Sequence, residues 1–106
     1  MKKKLIKINC CVFALIILFF QNIKADDLFD QGKKIFLGDG NCATCHTLQD
    51  ANSNGNIGPN LNEIRPDSDR IIYAVTNGIG VMPAYESELS SEEIKAVATY
   101  VFKSTN

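Results

Sequence analysis

Three observations predict an all-α fold for the 106-residue chain. Apolar residues recur at helical spacing in three separate stretches. Capping and stop residues bracket those stretches. Strand-type alternation is absent over any useful length. The expectation is three main helices with one or two short helical turns between them.

A leader precedes the first helix. Residues 1–9 hold Lys2, Lys3, Lys4 and Lys7 and no acid, and residues 10–20 form an unbroken apolar run. A basic start, a short apolar core and a small residue ahead of a polar chain read as a secretory signal peptide over residues 1–25. An uncleaved membrane anchor is the competing reading, but the run is short of the roughly 18–20 residues that span a bilayer. Cleavage after Ala25 leaves a single domain, residues 26–106, outside the cytoplasm.

The charge follows from that cut. The chain has 11 basic and 12 acidic side chains, and five of the basic ones (Lys2, Lys3, Lys4, Lys7, Lys24) lie in the leader. The remainder has a net charge of minus six. Nucleic-acid binding asks for the opposite sign. An acidic domain fits partners with a complementary basic patch. So small a domain tends to need a staple. Cys10 and Cys11 leave with the leader, so Cys42 and Cys45 are the cysteines that remain.

The first helix is expected within residues 26–40. Leu28, Phe29, Ile35 and Phe36 share a face there, and Gly38 and Gly40 end it. Residues 49–60, rich in Asn, Gly and Ser, read as a long surface loop. "LNEI", before Arg65 and Pro66, is one short helical turn. Residues 67–78 read as a second helix, with Asp67 as cap, Ile71, Ile72 and Val75 as apolar face, and Gly78 as stop. The third helix opens on a capping box of Ser90 and Glu93, with Leu89 stapled to Ile94. Its apolar face is Ile94, Val97, Ala98 and Val101, flanked by Tyr100 and Phe102.

The chemistry lies in "CATCH", residues 42–46. A disulfide between Cys42 and Cys45 would close a loop too small to remove much chain entropy. A redox dithiol expects a neighbouring βαβ pattern. A structural zinc needs four ligands, and His46 is the only histidine. Covalent haem is the reading that fits. Cysteines three apart share a helix face, so both sulfurs can reach one edge of a haem, and the next residue, His46, is carried round to the iron. The second axial ligand is then sought among the remaining donors. Apart from Met1 in the leader, Met82 is the only methionine, in the loop "GIGVMPAYE" between Gly80 and Pro83. Gly78 and Gly80 would let backbone pass close to a flat macrocycle. Two readings compete with ligation by Met82: a core-filling methionine, and a sixth site left open.

With "CATCH", "IGPNL" and "GVMPAY" in this order, the chain resembles the class I c-type cytochromes along nearly all of residues 26–106. The resemblance implies a small fold wrapped round one covalent haem c. It implies that the carbonyl of Pro59 accepts a hydrogen bond from His46. It also implies a helix crossing where Gly32 permits close approach and Phe36 and Tyr100 pack. The family's tryptophan near a haem propionate has no counterpart, since the chain has no Trp. Asn60, Arg65 and Arg70 are candidates to face the propionates.

The function expected from these readings is one-electron carriage, without enzyme activity, by a soluble periplasmic monohaem cytochrome. Donor and acceptor would be redox proteins, at least one with a basic docking surface. Neither nucleic acid nor a membrane span enters once the leader is cut. The alternative is a dedicated haem subunit of a periplasmic dehydrogenase complex.

Overall fold

The computed structural model describes residues 25–106, so the expected leader, apart from Ala25, lies outside the described residues. Four helices follow in chain order: α1, Ala25–Leu37; α2, Leu61–Ile64; α3, Ser68–Asn77; and α4, Ser91–Thr105. A 3-10 turn at Cys42–Thr44 follows α1. The three long helices sit where periodicity placed them, and the short turn "LNEI" is α2. Among the described residues, no helix is long and apolar enough to cross a membrane.

One local expectation needs correction. The stretch read as an irregular loop from residue 49 contains half of a minimal hairpin. Strand β1, Thr47–Leu48, pairs antiparallel with β2, Ser53–Asn54. Asn52, at φ 51°, turns the chain between them. The buried Ser53 hydroxyl accepts from the Leu48 amide at 3.1 Å. Two residues per strand are too few for alternation to register, so side-chain and turn chemistry form this ladder.

The helix ends follow their caps. Asp67 accepts from the Arg70 amide at 2.8 Å. Ser90 and Glu93 exchange both bonds of the capping box, at 3.1 and 3.0 Å. Such caps satisfy amides that the helix itself leaves unpaired. Gly78 closes α3 at φ 75°, with its amide on the Ala74 carbonyl at 2.8 Å. α1 unwinds through Gly38, which bonds back to Lys34 at 2.8 Å, and Gly40, which bonds to Ile35 at 2.9 Å.

The core is built on the crossing of α1 and α4. Phe36, Ala96, Val97 and Tyr100 are all buried. A Cβ on Gly32 would run into the Ala96 carbonyl oxygen and lie 2.6 Å from the Cβ of Tyr100. Glycine is therefore the residue that lets the two backbones touch. Tyr100, expected to flank its helix face, is fully buried at the centre of this crossing. Its ring meets Phe29 and Phe36 edge-on, with centroids 4.9 and 5.7 Å apart, an arrangement aromatic quadrupoles favour. Its hydroxyl leaves the apolar layer and donates to Asp50 at 2.7 Å. Asp50 also pairs with Lys33 at 3.2 Å. The β1–β2 turn is thereby tied to both α1 and α4.

Candidate functional site

His46 follows the 3-10 turn that carries Cys42. The amides of Cys45 and His46 both donate to the Cys42 carbonyl, at 3.1 and 2.9 Å. This one turn brings Cys42, Cys45 and His46 to the wall of a single cavity of about 440 Å³. Cys42 and Cys45 are not joined to each other by a disulfide. Burial pushes the Cys42 thiol up to about 11. A redox dithiol needs the opposite shift, toward thiolate. Zinc also fails on geometry: among the described residues, no three His, Cys, Asp or Glu side chains cluster as a metal site.

The imidazole of His46 is oriented from behind. Its Nδ1 donates to the Pro59 carbonyl at 2.8 Å. That bond assigns the proton to Nδ1 and leaves Nε2 as the free donor atom. A carbonyl in this place fixes the ring and makes it a better ligand. The Gly58 amide is held on the Cys45 carbonyl at 2.7 Å. A Cβ on Gly58 would come within 2.6 Å of the ring carbon Cε1. Glycine at 58 is therefore required by the ring itself, a constraint that "IGPNL" alone did not reveal.

Met82 lies on the same cavity wall and is half-buried against the core. Its loop is a small closed ring. The Met82 amide donates to the Ile79 carbonyl at 2.9 Å, and the Ile79 amide to the Met82 carbonyl at 3.2 Å. Gly78 and Gly80 have φ of 75° and 57°, the left-handed region that glycine occupies without strain. At Gly80 an added Cβ would meet open space. Its left-handed backbone angle favours glycine there.

Most of the rest of the wall is apolar, with Phe36 from α1, Leu61 from α2, Ile71 and Val75 from α3, and Val97 and Val101 from α4. The mouth carries Ile57, Ile79 and Val81, exposed by 64, 60 and 86%. Of the three propionate candidates, Arg70 lines the cavity. The other two do not. Asn60 is committed as the cap of α2, accepting from the Asn62 amide at 3.0 Å, and Arg65 is the left-handed residue that ends α2, at φ 43°.

The donor set fits covalent haem. The cavity volume is in the range of cofactor sites. Its wall holds two cysteine sulfurs, one histidine with its second nitrogen already engaged, and one thioether, within a mostly apolar lining. Sequence reasoning missed Tyr85, whose hydroxyl donates to the Gly40 carbonyl at 2.6 Å. The aromatic character of position 85 was visible in "GVMPAY", but its partner 45 residues away was not.

Known proteins agree with this geometry. Residues 27–101 match the family model described as cytochrome c oxidase, cbb3-type, subunit III. The chain is 33% identical over 110 residues to cytochrome c6 of Thermosynechococcus vestitus, covering 95% of this chain and 91% of that one. It is 36% identical over 75 residues to cytochrome c6 of Diacronema lutheri, across 66% of this chain and 88% of the other. Among solved structures, the c-type cytochrome SorU from Sinorhizobium meliloti superposes with a TM-score of 0.72 at 51% identity. That match covers 76% of this chain and 93% of SorU.

Proposed function

Because the chain belongs to the class I c-type cytochromes, a family of electron carriers rather than enzymes, we infer that it carries single electrons between redox proteins through one haem c whose iron is held by His46 and Met82. When bound, haem supplies an iron that takes up and returns one electron. The chain's residues do the rest. Cys42 and Cys45 hold the macrocycle by thioether bonds, so it is not lost in dilute solution. Pro59 holds the His46 ring through Nδ1. The buried walls of α3 and α4 keep water from the site. A thioether supplied by Met82 would favour the reduced iron over the oxidised one, and the low dielectric of the apolar wall would do the same. The His46 ring is held by Pro59, and the Met82 loop is closed on itself through Ile79.

The observation that carries the reading is the single bond from His46 Nδ1 to Pro59 O at 2.8 Å. It leaves Nε2 as the donor beside two thiols on an apolar wall that also holds Met82. The signal-like residues 1–25 support export to the periplasm, with residues 26–106 as the working domain. The net charge of minus six over that domain supports a partner with a basic face.

A second reading has one observation in its favour. The exposed apolar mouth of Ile57, Ile79 and Val81 suits a haem subunit held permanently against a dehydrogenase. Association that weakens as ionic strength rises marks the free carrier. Salt-independent association and co-purification in fixed stoichiometry mark the subunit.

The test of the ligation uses holoprotein carrying covalent haem. The oxidised wild type is expected to show the near-infrared sulfur-to-iron band, and the reduced protein to exclude carbon monoxide. Met82→Ala is expected to lose the band and admit carbon monoxide. If wild type and variant are alike in both respects, Met82 is a core residue and the closed-carrier reading fails.

A further inference from the structure

The loop that carries Met82 is weakly held. Among the described residues, the hydrogen bonds of residues 79–84 are internal to the loop. Ile79 and Val81 are exposed by 60 and 86%, so little of the polypeptide itself covers them. On the N-terminal side the loop is fixed at Gly78, by the end of α3. On the C-terminal side the first fixed residue is Tyr85.

Tyr85 is fixed from three directions. Its amide donates to the Val75 carbonyl in α3 at 2.8 Å. Its carbonyl accepts from Leu89 at 2.8 Å, on the approach to α4. Its hydroxyl donates to the Gly40 carbonyl at 2.6 Å. Gly40 is buried two residues before Cys42, and a Cβ there would lie 3.1 Å from Cys42 Sγ. One side-chain bond therefore ties the segment of one axial ligand to the segment that carries the thiols and the other axial ligand. The Tyr85 side chain itself lines the cavity.

We propose that Tyr85 is a positioning residue for the sixth ligand: its hydroxyl bond to Gly40 holds the Met82 loop closed over the haem face. The role rests on His46/Met82 ligation. Without the bond, Tyr85 keeps its two backbone bonds but its ring loses the tie to Gly40, and Met82 would spend more time off the iron. A neutral hydrogen bond of this kind corresponds to about a fivefold change in an equilibrium, within a range of roughly two- to tenfold. An added ligand that competes with Met82 sees that change directly. Its apparent affinity scales with the fraction of molecules whose site is open.

The experiment is a spectrophotometric titration of oxidised holoprotein with imidazole, for wild type, Tyr85→Phe and Tyr100→Phe. Tyr100→Phe removes a hydroxyl bond of similar length, to Asp50 at 2.7 Å, from a part of the fold that does not line the cavity. Tyr85→Phe is expected to bind imidazole about fivefold more tightly. Tyr100→Phe is expected to match wild type while unfolding at a lower temperature. Unchanged affinity in Tyr85→Phe, or equal tightening in both variants, overturns the role. Failure of the underlying ligation looks different: wild type then lacks the near-infrared band and binds imidazole as tightly as Met82→Ala. Wild-type protein offers a check that needs no variant. The Tyr85 hydroxyl proton of the reduced form should exchange slowly and show proximity to Gly40 in proton NMR, and a rapidly exchanging hydroxyl overturns the proposal.

Discussion

Replacing Gly32 with alanine tests the contact on which the fold closes. In an exposed helix the change would stabilise the protein by about 1 kcal/mol, the difference in helix propensity. Here the added carbon would overlap the Ala96 carbonyl oxygen and stand 2.6 Å from Tyr100 Cβ. Carbon atoms sit comfortably at about 3.5–4.0 Å, so α1 and α4 must part by about 1 Å. Neither obstacle is the free end of a flexible side chain. One is backbone, and the other is the root of a buried ring. Parting by that much forfeits about a quarter to a half of each dispersion contact across the gap, and Phe36, Val97 and Tyr100 all lie at or beside it. Overpacking of a close-packed core costs about 1–3 kcal/mol, and a rigid backbone obstacle belongs at the upper end. Set against the propensity gain, the net loss is about 2 kcal/mol. For a domain of this size that is a fall in Tm of about 8–16 °C. The assay is thermal unfolding of holoprotein followed by far-ultraviolet circular dichroism. The haem-attachment residues are untouched, so the haem spectrum at room temperature should match wild type. A Tm equal to or above wild type would refute the close-approach argument.

Gly58→Ala should displace the His46 ring, since its Cβ would come within 2.6 Å of Cε1. A stretched bond to Pro59 makes the ring a poorer donor to oxidised iron, so the reduction potential should rise, as measured by redox titration. Replacing both Cys42 and Cys45 with alanine prevents covalent attachment. A cavity of about 440 Å³ lined by core residues such as Phe36, Val97 and Val101 would then lose the group that fills it, and so small a domain has little stability to spare. That variant is expected to lack a cooperative thermal transition. The Asp50 carboxyl is held below its ordinary pKa by the Tyr100 hydroxyl, with Lys33 adding to the effect. A depressed carboxylate contributes stability above its unfolded pKa of about 4 and loses it as pH falls through the folded value. Denaturant unfolding of Asp50→Asn should therefore show a shallower loss of stability than wild type on acidification below about pH 4.

Much of this protein is written locally. Cap chemistry acts over three or four residues, so Asp67, Gly78 and the Ser90–Glu93 box set the ends of α3 and α4 where the sequence placed them. The spacing of Cys42, Cys45 and His46 is likewise a property of a single turn. Met82 could be singled out because residues 26–106 contain no other methionine. The tertiary structure decided what local spacing does not encode. Pro59 meets His46 from 13 residues away. It could be anticipated from a family resemblance, but its chain position carries no such signal. Asp50 meets the Tyr100 hydroxyl across 50 residues, and Gly40 meets that of Tyr85 across 45. Gly58 reads as an ordinary turn residue until the His46 ring is seen against it. Arg70, rather than Arg65 or Asn60, reaches the cavity because it lies on the face of α3 that also brings Ile71, Ala74 and Val75 to the cavity wall. The physical reason is common to all of these. Helix periodicity and capping depend on backbone bonds between near neighbours. Which carbonyl accepts from a distant hydroxyl or imidazole depends on how separate segments pack in three dimensions, as at Gly32, where the missing side chain lets α1 and α4 touch.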